Sequence, residues 1–139
     1  MTSRRTRTTL ASALLLCLLS ACSGPAPTVV QTPAPSAGPV PSDGVVLRDL
    51  GVAHGPATFW LPATPQPQGR IDEPNVVTLT YRVEDGASVA TWLAAHLTAM
   101  GFVVDAYKGS SLVFHEQSWQ GAYTCSSSLC ACMMPRMRG

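Results

Sequence analysis

One stripe of side chains constrains this chain more than any other feature. Val89, Trp92, Leu93, His96, Leu97 and Met100 recur at spacings of three and four, which places them on one side of a helix. Ala90, Thr91, Ala94, Ala95 and Thr98 make the opposite side. Asp85 or Ser88 can cap the start by accepting backbone N–H bonds, and Gly101 supplies a left-handed stop. A helix that is apolar on one side must lie on another element. Its neighbours in the chain show which. Residues 75–83 alternate, with Val77, Leu79, Tyr81 and Val83 on one face and Thr78, Thr80 and Arg82 on the other. That is the pattern of a half-buried strand. Beyond Gly101, residues 102–107 read as a strand and Lys108-Gly109-Ser110 as a hairpin turn. Residues 112–115 return, and a turn near Gln117-Ser118 leads to a third strand over 119–123.

The pattern predicts an α+β domain: a small mixed sheet in the order β-α-β-β-β with one helix packed on one face. The helix stripe should cover Leu79, Tyr81, Phe102, Val104, Leu112 and Phe114. Upstream, residues 45–50 and 58–61 read as short extended pieces between Gly51, Gly55, Pro56 and Pro62. They are expected to add an edge strand or to cover the second face of the sheet. Pro65, Pro67, Gly69 and Pro74 mark the following segment as a loop. Left uncovered, the second face would expose Val103, Tyr107, Val113 and Trp119, which makes those four the candidate contact residues.

The front of the chain is of another kind. Arg4, Arg5 and Arg7 precede a nearly apolar run over residues 10–19, too short to span a bilayer, which takes about 20 residues. A basic start, a short apolar core and small residues after it are the parts of a secretory signal. Arg4-Arg5 lacks the apolar pair that a twin-arginine signal would place soon after it. Leu19-Ser20-Ala21-Cys22 resembles the lipobox of bacterial prolipoproteins. The resemblance implies that Cys22 sulfur carries a diacylglycerol group and becomes the N-terminus after cleavage, so that two acyl chains anchor the protein. The alternative is an ordinary signal cleaved after Ala21. Pro25, Pro27, Pro33, Pro35, Pro39 and Pro41 crowd the next stretch among small residues. Such a segment has too little apolar bulk to offset its ordering entropy, and proline keeps it extended. The expected organisation is therefore a signal over 1–21, a lipidated cysteine and disordered stalk over 22–44, the α+β domain over 45–124 and a tail over 125–139. The front end, with its proline stalk, resembles that of envelope lipoproteins of the actinobacterial type.

Charge and motifs narrow the function classes. Beyond the signal, six basic residues face eight carboxylates, a net charge of −2. A mildly acidic domain without a basic patch argues against nucleic-acid binding. The chain has no GxSxG elbow, SxxK, P-loop or GxGxxG, so no nucleophile with its base is in view. His54, His96 and His115 are scattered and lack the spacing that sets two metal ligands on one helical face. His96 lies on the helix stripe, where a histidine bonded to a backbone carbonyl is expected. His54 falls in a Gly-Pro loop and His115 on the outer face of its strand. Asp72-Glu73 and Glu84-Asp85 read as loop ends or helix caps.

The tail is dense in sulfur: Cys125, Cys130, Cys132, Met133, Met134 and Met137 lie within its 15 residues. Three readings stay open. Cys125, Cys130, Cys132 and Met133 could hold a soft metal such as Cu(I). Cys125 could form a disulfide with Cys130 or Cys132, which suits an oxidising compartment. The abrupt change of composition could also mark a displaced reading frame or an alternative end. Taken together, the sequence predicts a membrane-anchored protein on the extracytoplasmic face. It is expected to be noncatalytic, with no cofactor beyond its acyl lipid, and to bind an envelope protein or ligand. A copper-binding lipoprotein is the alternative.

Overall fold

The computed structural model describes residues 37–139, together with Gly24. Strand β4 (Val76–Tyr81) lies where alternation predicts it and buries Val77, Leu79 and Tyr81 completely. Val83 leaves that face, because a 3-10 turn over Val83–Asp85 follows and leads into α1 (Gly86–His96). Neither predicted cap forms. Asp85 makes no capping bond with its side chain, and the Ser88 hydroxyl donates to the Asp85 carbonyl at 2.8 Å. The helix ends at His96, one turn early, yet Leu97 and Met100 in the turns that follow stay buried. Gly101, at φ 89°, makes the reversal.

Strands β5 (Val103–Lys108), β6 (Ser111–His115) and β7 (Gln120–Cys125) follow as a meander. The chain closes with β8 (Cys130–Pro135), formed by the sulfur-rich residues. A further strand, β3 (Gly69–Glu73), pairs with β4 in the segment expected to be a loop. Its prolines fall outside the strand, and an edge position asks for only one ladder of backbone bonds. The sheet order is β3-β4-β8-β7-β6-β5, and each neighbouring pair is antiparallel. The strands joined through the helix, β4 and β5, therefore lie apart, with β8, β7 and β6 between them. The class is α+β, with one helix among the described residues.

Residues 44–62 add a small second sheet. β1 (Gly44–Val46) pairs with β2 (Trp60–Pro62), joined through a 3-10 turn over Leu47–Leu50 that ends on Gly51 at φ 75°. This unit packs on the helix side of the large sheet and not on its second face. Phe59 sits edge-on to Phe102 at 5.4 Å and stacks on Phe114 at 5.7 Å. Leu47, Val52, Trp60 and Leu61 join the same core. The reason is area: a helix of 11 residues is narrower than six strands about 4.8 Å apart, so the apolar residues beside it need a second cover. Gly121 lets the Phe114 ring lie flat against β7, because a Cβ there would collide with the ring.

The last residues assigned to the stalk belong to this globule. Ala37 packs against the core, Gly38 N–H donates to the Ala99 carbonyl at 2.9 Å, and the Trp92 indole N–H donates to Asp43 at 2.8 Å. The remainder of the predicted signal and stalk lies outside the described residues.

Candidate functional site

Among the described residues, the helix and the β1–β2 unit cover one face of the large sheet and leave the other open. The register fixes which side chains share the open face, since directly opposed residues in antiparallel strands point the same way. Its middle row runs across all six strands: Ile71, Thr78, Met133, Ala122, Val113 and Ala106. Ile71 is 56% exposed and Met133 49% exposed. Thr80, Ala131, Thr124, Ser111 and Lys108 line the face on one side of that row, and Glu73, Val76, Pro135, Gln120, His115 and Val103 on the other. The surface mixes apolar side chains with threonines, His115 and Gln120, and carries Glu73 and Lys108 at two corners.

Two of the four candidate contact residues stand on it. Val103, opposite His115, is 56% exposed, and Val113 occupies the middle row. Tyr107 does not share their face. Its alternation with Val103 is broken by a bulge between Val104 and Ala106, which sets Tyr107 in register with the buried Leu112. An inserted residue reverses the facing of everything after it. Tyr107 is exposed because β5 is the sheet edge. Trp119 is also removed from the face. It is only 7% exposed, precedes Gln120 on the core side, and lies under the Arg136 guanidinium at 5.9 Å. Ile71 and Met133 were missed. Ile71 stood in a segment read as loop. Met133 stood in a run whose period-two pattern, Cys130-Cys132-Met134 against Ala131-Met133-Pro135, was masked by its sulfur chemistry.

The tail's ligand set is dispersed by the same alternation. Cys125 and Cys130 are directly opposed and joined in a disulfide, which closes the turn between β7 and β8. Gly86 at the start of α1 lies against both sulfurs, where a Cβ would not fit. Cys132 is the free thiol among the described residues and is buried; burial pushes its pKa up to about 12. It points to the core beside Tyr81 and Tyr123, whose hydroxyls are buried and have no hydrogen-bond partner among the described residues. Burial, and then the neighbouring Cys132 thiol, push both phenols upward. Met133 points to the opposite, open face. Among the described residues no three His, Cys, Asp or Glu side chains converge on a metal position. A soft-metal site at Cys125, Cys130, Cys132 and Met133 would require breaking the disulfide and turning a side chain through the sheet. Cys22 lies outside the described residues.

The histidines have local partners. His96 Nδ1 is 2.8 Å from the Trp92 carbonyl, and its ring stacks on Trp92 at 4.0 Å. His115 Nδ1 is 2.8 Å from an Asp105 carboxylate oxygen, a pair made possible by the bulge. His54 meets Asp72, which the sequence did not bring together. The backbone N–H groups of Ala53 and His54 donate to the two Asp72 oxygens at 2.8 and 3.0 Å, and the His54 ring adds a contact at 3.2 Å. Arg70 donates to the Leu50 carbonyl at 2.7 Å, so β3 clamps the 50–54 loop at two points. The Ala53 amide above all, with the His54 amide and ring, holds the Asp72 carboxyl below its usual value, against partial desolvation. A lowered carboxyl stabilises the fold above its ordinary pKa of 3.8, and the effect is lost as pH falls through the folded value. Asp72→Asn is therefore expected to lower the thermal midpoint by a few degrees at neutral pH. Its deficit against the parent chain should vanish in acid; a deficit that persists at low pH would assign the loss to packing.

No protein-family model, curated protein or solved structure matches the chain.

Proposed function

We propose that this chain is a lipid-anchored protein of the bacterial envelope. Its domain is a noncatalytic binding module that presents the open face of the six-stranded sheet to a partner. The observation that carries the reading is the middle row of that face, with Ile71 and Met133 half exposed at its β3 and β8 positions. Large apolar side chains exposed together on one sheet face mark a contact surface, and Ile71, Met133 and Val103 stand exposed there among polar neighbours. The Cys125–Cys130 disulfide supports an address outside the reducing cytoplasm. Lipidation at Cys22 follows from the resemblance of residues 19–22 to a lipobox, and two acyl chains anchor where one is marginal.

Expression of the full chain in a bacterial host with Cys22→Ser tests the anchor. The parent chain is expected in the membrane fraction, carrying labelled palmitate, with a precursor that accumulates under a globomycin-type inhibitor. The variant is expected to lose the label and to leave that fraction. Membrane retention by the variant, or a precursor indifferent to the inhibitor, overturns the lipid anchor.

A further inference from the structure

We infer that the occupant of the open face is a second copy of this chain, the two sheets packing face to face with their strands crossing steeply. The inference rests on reading that face as a binding surface and names what binds it. Six strands about 4.8 Å apart, five or six residues long at about 3.4 Å each, make a patch of about 25 by 20 Å. Two copies then bury about 1,000 Å² together, the lower bound of a specific interface. The match is that of a reversible dimer.

Charge selects the arrangement. The open face holds the hydrogen-bonded pair of Asp105 and His115, with Glu73 and Lys108 at two opposite corners. Glu73 lies at one end of β3, opposite Val76; Lys108 lies at the other end of β5, opposite Ser111. About 30 Å of sheet separates them, so they cannot pair within one chain. A two-fold interface repeats every contact. With its axis along the strands, Glu73 would meet the Val103 corner of the partner; with the axis across them, it would meet the Gly69 corner. Neither brings Glu73 onto the partner's Lys108. An axis perpendicular to the line from Glu73 to Lys108 sets Glu73 on the partner's Lys108, twice. That axis lies about 30° from the strands and makes the two sheets cross at about 60°. Met133, beside Ala122, then lies near the axis, where a flexible thioether fills the shallow space over the alanine.

Lys108 is the only lysine in the chain, which makes the test specific. The full chain, purified from its membrane in detergent, is treated with a zero-length carbodiimide that joins amines to carboxylates. A covalent dimer is expected whose digest contains an isopeptide between Lys108 and Glu73. Lys108→Arg should abolish the cross-link but leave the dimer in sedimentation. Met133→Arg should abolish both while the thermal transition is retained. Glu73→Lys should weaken the dimer about tenfold, the effect of about 1.4 kcal/mol, and adding Lys108→Glu to it should restore the dimer. A monomer at all concentrations, or a Lys108 cross-link to a different carboxylate, overturns the inference. Peroxide oxidation of Met133, compared between intact cells and the purified chain, separates the two ways of failing. A monomer whose Met133 is protected in cells keeps the binding face and excludes self-association. A monomer oxidised equally in both loses the binding face as well.

Discussion

A chain that stops before Cys130 is expected not to fold. β8 lies in the interior of the sheet, with six register pairs to β4 and four to β7. Removing it leaves two facing strand edges with no partner and exposes their ladders. It also takes away Cys130, Cys132 and Met134, all fully buried under the helix side, and half of the disulfide. Burial of Met134 is worth about 1.5–3 kcal/mol by area, and loss of a native disulfide costs about 2–5 kcal/mol. A domain of this size holds about 5–15 kcal/mol in total, so these losses, with the broken ladders on both sides, rival the whole of it. Circular dichroism of the shortened chain should show no cooperative thermal transition. Ending the chain after Pro135 instead removes the Arg136 and Met137 backbone bonds to Asn75 and Ser118 and the Arg136 cover over Trp119. That cut should lower the melting point but leave the transition intact. A chain lacking residues 130–139 that still melts cooperatively near the parent temperature would show that the sheet closes without β8.

The same strand marks where reading the sequence ran out. Helix α1, β4, β6 and β7 were legible because each carries its own local period, and the α+β class followed from them. The helix-side residues Leu79, Tyr81, Leu112 and Phe114 are all buried. β8 has a period of two as well, but its inward positions are two cysteines and a methionine, residues whose chemistry competes with their use as core. Its place between β4 and β7 depends on pairings across some 50 residues on one side, and no local pattern encodes those. β3 was hidden for a different reason. An edge strand with Ile71 outward and Arg70 and Asp72 committed to the 50–54 loop does not alternate in the sense of a buried strand. The bulge in β5 has no composition of its own, yet it decides the site. It moves Tyr107 off the open face and brings Asp105 to His115. Of the open face itself, Val103 and Val113 were readable from alternation. The glycine contacts at Gly86 and Gly121 exist only once the disulfide and Phe114 are in place.

The domain should lose stability steeply in alkali, and Cys132 should account for much of the slope. A thiol raised from its ordinary 9.0 to about 12 by burial keeps its proton in the folded state while the unfolded chain gives it up. The folded state then binds more protons, so stability is complete below pH 9 and falls as pH rises toward 12. Each pKa unit corresponds to about 1.4 kcal/mol, which makes the loss about 4 kcal/mol at the upper end for this one group. Tyr81 and Tyr123 act in the same direction above their ordinary 10.0, because neither phenolate has a donor to receive it in the core. Three groups in one buried cluster therefore titrate against the fold in succession, the thiol first. Denaturant unfolding at successive pH values, read by stopped flow before thiol–disulfide exchange intervenes, should show a decline beginning near pH 9 and steepening above 10. Cys132→Ala lowers stability at neutral pH through the small cavity it leaves, but it should flatten the first part of the decline and postpone the break to the tyrosine range. Phenylalanine at position 81 or 123 should leave the first part unchanged and reduce the second. If Cys132→Ala shifts the whole curve downward with its slope between pH 9 and 10 intact, the thiol is in contact with solvent, and the packing of β8 against the helix side is looser than its burial indicates.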